Sequence, residues 1–160
     1  MEDNNTRTAA DYQKAEKIAL RLIARAEQCS VGLARKLEKR GCSAAGINGV
    51  ISNLCGLKLL DDSRFARMWL QSRLRFTRSP RRLLLSLCAR GIDRGEAEAA
   101  MKEVLDRETE FLLLKKFVKK YAGKAAVKTS GSGESVTRYI KSLLRNEGFS
   151  PSAIQGFLEE

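Results

Sequence analysis

The chain has 160 residues, and its 30 lysines and arginines outnumber 19 aspartates and glutamates, which gives a formal net charge of +11. It contains no histidine, so catalytic triads and metal sites that need an imidazole are excluded. A chain of this length buries enough apolar surface to fold without disulfides or metals. With only 2 prolines and 12 glycines, the composition predicts an all-α protein.

The first third of the chain predicts a polar tail followed by three helices. Residues 1–11 have no apolar stretch of the signal-peptide type and are expected to be disordered. A helix over about 12–27 follows, and then two shorter helices, for which Ser30 and Ser43 are the expected N-caps. No segment approaches the ~20 apolar residues of a membrane helix. We expect a cytoplasmic protein whose cysteines are buried and reduced: Cys29, Cys42, Cys55 and Cys88.

The middle third begins with a helix over about 62–76. Asp61 and Asp62 precede it and are expected to cap its free N–H groups. Ser79-Pro80 opens the next helix, and Asp93 caps the one after that. Trp69 and Phe65 are assigned to the core in preference to a stacking role, because they share one helical face with Met68 and Phe76.

The last third begins with a helix over about 107–122. Residues 123–134 (GKAAVKTSGSGE) are small and polar, and predict a flexible loop that is either an ordinary surface insertion or a hinge. A second helix follows, and Ser150-Pro151 starts a third one, because serine is a good N-cap and proline suits the first helical position.

A pattern of six positions recurs three times along the chain. In the first copy two leucines four residues apart precede a glycine, and apolar residues follow six, nine and ten positions after it. The three copies are Leu33, Leu37, Gly41, Ile47, Val50 and Ile51; then Leu83, Leu87, Gly91, Ala97, Ala100 and Met101; then Ile140, Leu144, Gly148, Ile154, Phe157 and Leu158. This spacing predicts a helix closed by a left-handed glycine and a second amphipathic helix after it.

The repeat predicts three three-helix units, over 12–58, 59–106 and 107–160. A unit of this size cannot bury its apolar face alone, so neighbouring units are expected to dock in series. The fold class is therefore all-α, with three tandem three-helix repeats that form an elongated, curved array.

The excess positive charge is concentrated in residues 64–94, which contain nine arginines, no lysine and a single carboxylate. Guanidinium groups bind phosphates and carboxylates in a bidentate way, so this stretch indicates an anionic partner. A solvated face whose arginine stems cover apolar neighbours is the alternative. The arginines that we assign to a partner or DNA surface are Arg64, Arg67, Arg73, Arg75, Arg78, Arg81 and Arg82.

The sequence offers little support for catalysis. It contains no phosphate-binding G-x-x-x-x-G-K-[ST] loop and no G-x-G-x-x-G motif, so we expect no nucleotide cofactor, and we expect no bound metal. The Asp61-Asp62 pair lacks further carboxylates for a two-metal site. The starts of the possible recognition helices are poor in base-reading side chains, which argues against sequence-specific DNA binding. We therefore do not expect an enzyme.

Residues 59–67 (LLDDSRFAR) resemble the L-[LI]-D-D-x-R-F-A-x signature of the RecX family of recombination regulators. Residues 19–30, 33–41 and 145–149 are similar to further motifs of that family, so that the resemblance extends over about 12–158. The motif residues are Leu60, Asp61, Asp62, Arg64, Phe65 and Ala66.

The resemblance implies a monomeric regulator of homologous recombination, DNA repair and the SOS response. Such a protein binds the RecA filament on single-stranded DNA and modulates its recombinase, ATPase and coprotease activities. Direct contact with DNA is also expected. Two alternatives stay open, namely a helical module that binds nucleic acids non-specifically and a repeat scaffold that binds an unrelated acidic protein.

Overall fold

The computed structural model describes residues 2–128 and 133–159, with side chains for 9–121 and 136–159. Over these ranges the chain forms nine α-helices and no strand. The helices are α1 (Glu2–Arg25), α2 (Ser30–Glu38), α3 (Ala44–Gly56), α4 (Asp62–Arg73), α5 (Pro80–Cys88), α6 (Arg94–Val104), α7 (Arg107–Lys128), α8 (Gly133–Asn146) and α9 (Pro151–Leu158). The prediction of an all-α chain of three-helix repeats is therefore confirmed.

Two helices extend into segments for which the sequence predicted no regular structure. Helix α1 begins at Glu2, where a disordered tail over 1–11 was expected, and residues 2–11 contain no glycine or proline that would stop a helix. Helix α7 continues to Lys128 and α8 begins at Gly133, so both ends of the expected 123–134 loop are helical. Residues 129–132 of the expected loop lie outside the described residues.

The chain divides into two compact units, and the second repeat contributes to both. Unit 1 comprises Met1–Ala66 and Cys88–Glu96, and unit 2 comprises Arg67–Leu87 and Ala97–Glu160. In unit 1, α1, α2 and α3 pack against one another around an apolar core. The core residues are Ala15, Ala19, Leu33, Leu37, Cys42, Ile47, Val50, Leu54 and Leu60.

In unit 2, α7, α8 and α9 pack against one another. The ring of Phe117 lies 5.4 Å from the ring of Phe149 and 4.5 Å from that of Tyr121, both in tilted arrangements. Apolar side chains from the second and third repeats are buried in this unit: Trp69, Leu70, Leu83, Leu87, Ala97, Ala100, Leu113, Leu114, Phe117, Leu144, Phe149, Ala153 and Ile154.

The three glycines of the repeat have the left-handed backbone conformation that the sequence predicted. Their φ angles are 71° at Gly41, 91° at Gly91 and 84° at Gly148. Each ends the middle helix of its repeat, since a residue without a Cβ adopts positive φ at little cost. This common geometry supports the alignment of the three repeats.

Helix α4 is shorter than predicted, and its buried face is different. It ends at Arg73, and the residues that it buries are Ala66, Trp69 and Leu70, at i, i+3 and i+4. The core assignment of Trp69 is confirmed. The predicted face was wrong, because Met68 lies beside the buried face and Phe76 lies beyond the helix, and both are exposed. Phe65, the other residue assigned to the core, is half-buried.

The cysteines are all free, as expected, but not all buried. Cys29 and Cys42 are buried, Cys88 is intermediate and Cys55 is exposed. The expectation for Cys55 was wrong because α3 buries the face that contains Ile47, Val50 and Leu54, and Cys55 is rotated away from that face. No helix in the described ranges is both long enough and apolar enough to cross a bilayer.

Candidate functional site

The adjacent aspartates of the LLDDSRFAR segment cap two different helices. Asp61 Oδ1 accepts a hydrogen bond from the backbone N–H of Arg64 (2.8 Å) and so caps α4, as predicted. Asp62 Oδ1 accepts from the N–H and the Oγ–H of Ser30, at 2.7 and 3.1 Å. The N-cap of α2 is Cys29 and not Ser30, so the predicted cap was wrong and Asp62 satisfies this helix start instead.

Arg64 holds the connection between α3 and α4 in place. Its Nε lies 2.7 Å from Glu27 Oε1, and its terminal nitrogens donate to the carbonyl oxygens of Lys58 (3.1 Å) and Leu59 (3.2 Å). Lys58 has a left-handed backbone, with φ of 55°. Because its hydrogen bonds are made within unit 1, Arg64 has a structural task that the sequence did not reveal.

The remaining motif residues are mainly packing residues. Leu60 and Ala66 are buried, and Phe65 is half-buried. Within the described part of the chain, no group of three or more metal-ligating side chains is assembled, and Asp61 and Asp62 are occupied as caps. The motif therefore builds the junction before α4.

Several carboxylates near the same junction interact electrostatically. Burial raises the pKa of Glu96 above its ordinary value of 4.5, and the negative charges of Asp62, Asp93 and Asp61 raise it further. Asp93 Oδ2 accepts from the backbone N–H of Gly95 at 2.8 Å and of Glu96 at 3.4 Å, which confirms it as the cap of α6. The three aspartates thus accept N–H groups at helix starts.

Six of the seven arginines assigned to the surface belong to unit 2, and Arg64 belongs to unit 1. Arg67 makes a loose contact with Glu103, with Nη1 3.6 Å from Oε2. The Arg73 guanidinium lies 5.4 Å from the ring centroid of Trp69 and 6.0 Å from that of Phe76. These two arginines are therefore partly engaged by neighbours in their own unit.

The other four arginines are exposed on the turn after α4 and on the first turn of α5. They are Arg75, Arg78, Arg81 and Arg82. Within the described residues none of them forms an ion pair with a carboxylate. Eight consecutive residues thus present four uncompensated guanidinium groups, which we call the basic turn.

The third repeat holds one end of the basic turn in place. The N–H of Arg81 donates to the carbonyl oxygen of Glu147 (3.0 Å), and Arg81 Nη1 lies 3.4 Å from the carbonyl oxygen of Asn146. The buried Ser79 donates its hydroxyl to the Glu147 carboxylate. Gly148 allows this close approach, because a Cβ there would lie 3.2 Å from the Arg81 nitrogen. Sequence reasoning missed this role of Glu147, which is 68 residues from Ser79.

Comparison with known proteins places this geometry in a family. Residues 61–101 match the family profile described as RecX, second three-helix domain. The chain is 32% identical to the regulatory protein RecX of Treponema pallidum over 89% of its own length and 82% of that protein. It is 28% identical to the same-named protein of Mycobacterium bovis, with the same coverage.

Solved structures agree at the level of the fold. The crystal structure of RecX from Lactobacillus salivarius matches with a TM-score of 0.72 at 23% identity, covering 94% of this chain and 96% of that one. A second crystal structure, of regulatory protein RecX, matches with a TM-score of 0.77 at 19% identity, covering 96% and 74%. With the identity to the Treponema protein over most of both lengths, these matches show that the chain belongs to the RecX family of regulatory proteins.

Proposed function

We propose that this chain regulates the RecA recombinase by binding the RecA filament on single-stranded DNA. It lowers the recombinase, ATPase and coprotease activities of the filament and performs no catalysis itself. It acts in the cytoplasm as a monomer. The membership in a family of regulatory proteins supports the regulatory role.

The observation on which this proposal rests most heavily is the basic turn. Four exposed arginines over residues 75–82, without ion-pair partners in the described chain, form a local positive field that favours binding of an anionic partner. Arginine binds phosphates and carboxylates through paired N–H groups. A filament of protein on DNA offers both kinds of anion, so the basic turn is the proposed point of contact.

Of the seven arginines assigned from the sequence, we propose different tasks for two groups. Arg75, Arg78, Arg81 and Arg82 contact the partner, because their guanidinium groups are exposed. Arg67 and Arg73 contribute charge from half-buried positions. Arg64 forms an ion pair with Glu27 and hydrogen bonds with two carbonyl groups. It therefore stabilises the fold, and we assign it no contact with the partner.

The test is an assay of the DNA-dependent ATPase activity of RecA during titration with the purified chain. The proposal predicts inhibition at well below one chain per recombinase subunit, since blocking a filament site affects many subunits. Inhibition only at ratios that coat the DNA would favour a non-specific nucleic-acid-binding module. Unchanged ATPase activity at every ratio would refute the proposal.

A matched pair of variants tests the basic turn itself. Arg78→Glu with Arg82→Glu reverses two exposed charges that have no ion-pair partner among the described residues. Lys119→Glu with Lys120→Glu makes the same change in net charge on exposed positions of α7 in the same unit. We expect the first pair to abolish inhibition and the second to preserve it. Equal loss by both pairs would show that net charge alone determines binding.

A non-specific nucleic-acid-binding module is the second candidate, and one observation favours it. The basic turn also contains an exposed phenylalanine, Phe76, and aromatic rings among cations are typical of surfaces that bind single strands. The ATPase titration described above separates the two candidates by stoichiometry.

A further inference from the structure

The basic turn contains an exposed aromatic ring that the fold does not use. Phe76 is 46% exposed and lies after the last residue of α4, where its backbone N–H donates to the carbonyl oxygen of Arg73 (2.9 Å). The other large apolar side chains that are exposed in the described residues are leucines and a methionine, so Phe76 is the aromatic residue among them. Its exposed ring is therefore accessible to a partner from the solvent.

Two guanidinium groups flank this ring. The Cζ of Arg75 lies 5.0 Å from the Phe76 centroid, and the Cζ of Arg73 lies 6.0 Å from it. Cation–π contacts at exposed sites are weak, so an incoming phosphate can draw a guanidinium away from the ring. The Nε of Arg73 is buried and has no hydrogen-bond partner within the described chain, so a movement of this side chain toward a phosphate breaks no hydrogen bond of that nitrogen.

We propose that Phe76 is a base-stacking site for single-stranded DNA, and that Arg73 and Arg75 bind the phosphates on either side of the stacked base. This inference rests on the proposed function and deepens it, since it assigns the DNA of the filament, and not its protein, to the basic turn. When a guanidinium group moves from the ring to bind a phosphate, the face of the Phe76 ring becomes accessible and a base stacks on it. A π-face of this kind accepts any base, so the site is independent of sequence.

The charges around the ring favour DNA over a protein partner. This ring has guanidinium groups on its immediate flanks, and aromatic rings within a positively charged surface are how proteins bind single strands. Within the eight residues of the basic turn, charge is repeated at 75, 78, 81 and 82, which suits a chain of phosphates. A duplex hides the faces of its bases, so the site selects single strands.

The test measures binding of the purified chain, without recombinase, to three labelled oligonucleotides: oligo-dT, an abasic strand of the same length and a duplex. Phe76→Leu keeps apolar volume but removes the π-face, and we expect it to weaken oligo-dT binding about ten-fold. Binding to the abasic strand and to the duplex is expected to stay unchanged. Phe76→Trp is expected to match or exceed the parent on oligo-dT.

The controls are chosen to separate stacking from apolar contact. Leu85→Ala changes a side chain that is 57% exposed on α5, and Leu112→Ala changes one that is 52% exposed on α7. Both are expected to bind oligo-dT like the parent. Equal losses on oligo-dT and the abasic strand for Phe76→Leu would show that the ring only positions the arginines, and no loss on oligo-dT would show that it does not touch DNA. Either result overturns the proposal.

The fluorescence of Trp69 provides a second readout. It is the single tryptophan of the chain, and the Arg73 guanidinium lies 5.4 Å from its ring centroid. Oligo-dT is expected to change its emission as Arg73 moves to a phosphate, and unchanged emission on saturation would contradict the role of Arg73. These DNA-binding measurements contain no recombinase. Loss of the expected DNA binding with intact ATPase inhibition would refute only the stacking site, and DNA binding without ATPase inhibition would refute only the proposed regulation, so the two proposals are tested separately.

Discussion

The three repeat glycines are equivalent in sequence but differ in what surrounds them, which makes them a graded test of the packing. All three have positive φ, so alanine at any of them costs about 1–2 kcal/mol in backbone strain. At Gly41 the nearest atom to an added Cβ is Lys14 Nζ, at 3.9 Å, and no steric cost is added. At Gly91 an added Cβ would lie 2.4 Å from Val31 Cβ and 2.6 Å from both of its γ-methyls.

The Gly91→Ala variant therefore adds overpacking to strain. Forcing a methyl into a filled site costs about 1–3 kcal/mol, so the total is roughly 2–5 kcal/mol. Against a typical stability of about 5–15 kcal/mol, this is a large loss. Gly148→Ala is expected to be intermediate, because its neighbour at 3.2 Å is the backbone nitrogen of Arg81.

Thermal unfolding followed by circular dichroism at pH 7 measures this order. For a chain of this length, each kcal/mol of lost unfolding free energy lowers the Tm by about 2–4 °C. Gly91→Ala is therefore expected to lower the Tm by roughly 10 °C, and Gly41→Ala by a few degrees. Asparagine tolerates positive φ. Gly41→Asn is therefore expected to leave the Tm nearly unchanged, whereas Gly91→Asn is expected to lower the Tm because its side chain still clashes with Val31. Equal effects of alanine at positions 41 and 91 would refute the assigned packing of Gly91 on Val31.

Three further predictions concern capping, titration and salt. Asp62→Ala removes the acceptor of both Ser30 hydrogen bonds and is expected to cost about 1 kcal/mol in urea denaturation, whereas an unchanged midpoint would contradict that cap. Because the pKa of Glu96 is raised, the folded state binds the proton of this carboxyl more tightly than the unfolded chain does. Protonated Glu96 therefore stabilises the fold below its ordinary pKa of 4.5, and this stabilisation is lost as the pH rises through the raised pKa. Glu96→Gln is expected to stabilise the protein at pH 7 and to match the parent at low pH, and a constant difference across the pH range would be inconsistent with this. Arg78→Glu with Arg82→Glu is expected to reduce the salt slope of oligo-dT binding by about 1.4, since each phosphate contact contributes about 0.7, and an unaltered slope would remove these residues from the interface.

Much of the fold could be predicted from the sequence because it depends on local signals. The left-handed Gly41, Gly91 and Gly148 and the caps at Ser43 and Ser150 are decided by residues within one or two helical turns. The spacing of the apolar residues gave the repeats for the same reason. Helix ends were less predictable, as α1 and α7 show, because nothing in a polar segment without proline forbids a further turn.

The candidate site was only partly predictable. Nine arginines in one stretch are visible in the sequence, but their partners are not. Arg64 bonds to Glu27, which lies 37 residues earlier in the sequence, so Arg64 is not one of the exposed arginines of the basic turn. Nothing in the sequence around Arg64 indicates this contact. Phe76 was expected on the same helical face as Trp69 because its spacing fits a longer α4, and the actual end of that helix at Arg73 leaves it exposed.

By itself, the amino-acid order determined the helices, their glycine ends and the position of the excess charge, since these depend on neighbours along the chain. Only the tertiary structure decided which charges are left for a partner. The hydrogen bond between Ser79 and Glu147 joins residues 68 positions apart, and its formation depends on how the packed helices bring the two side chains together. The exposed arginines of the basic turn are those that the packing did not pair with a carboxylate.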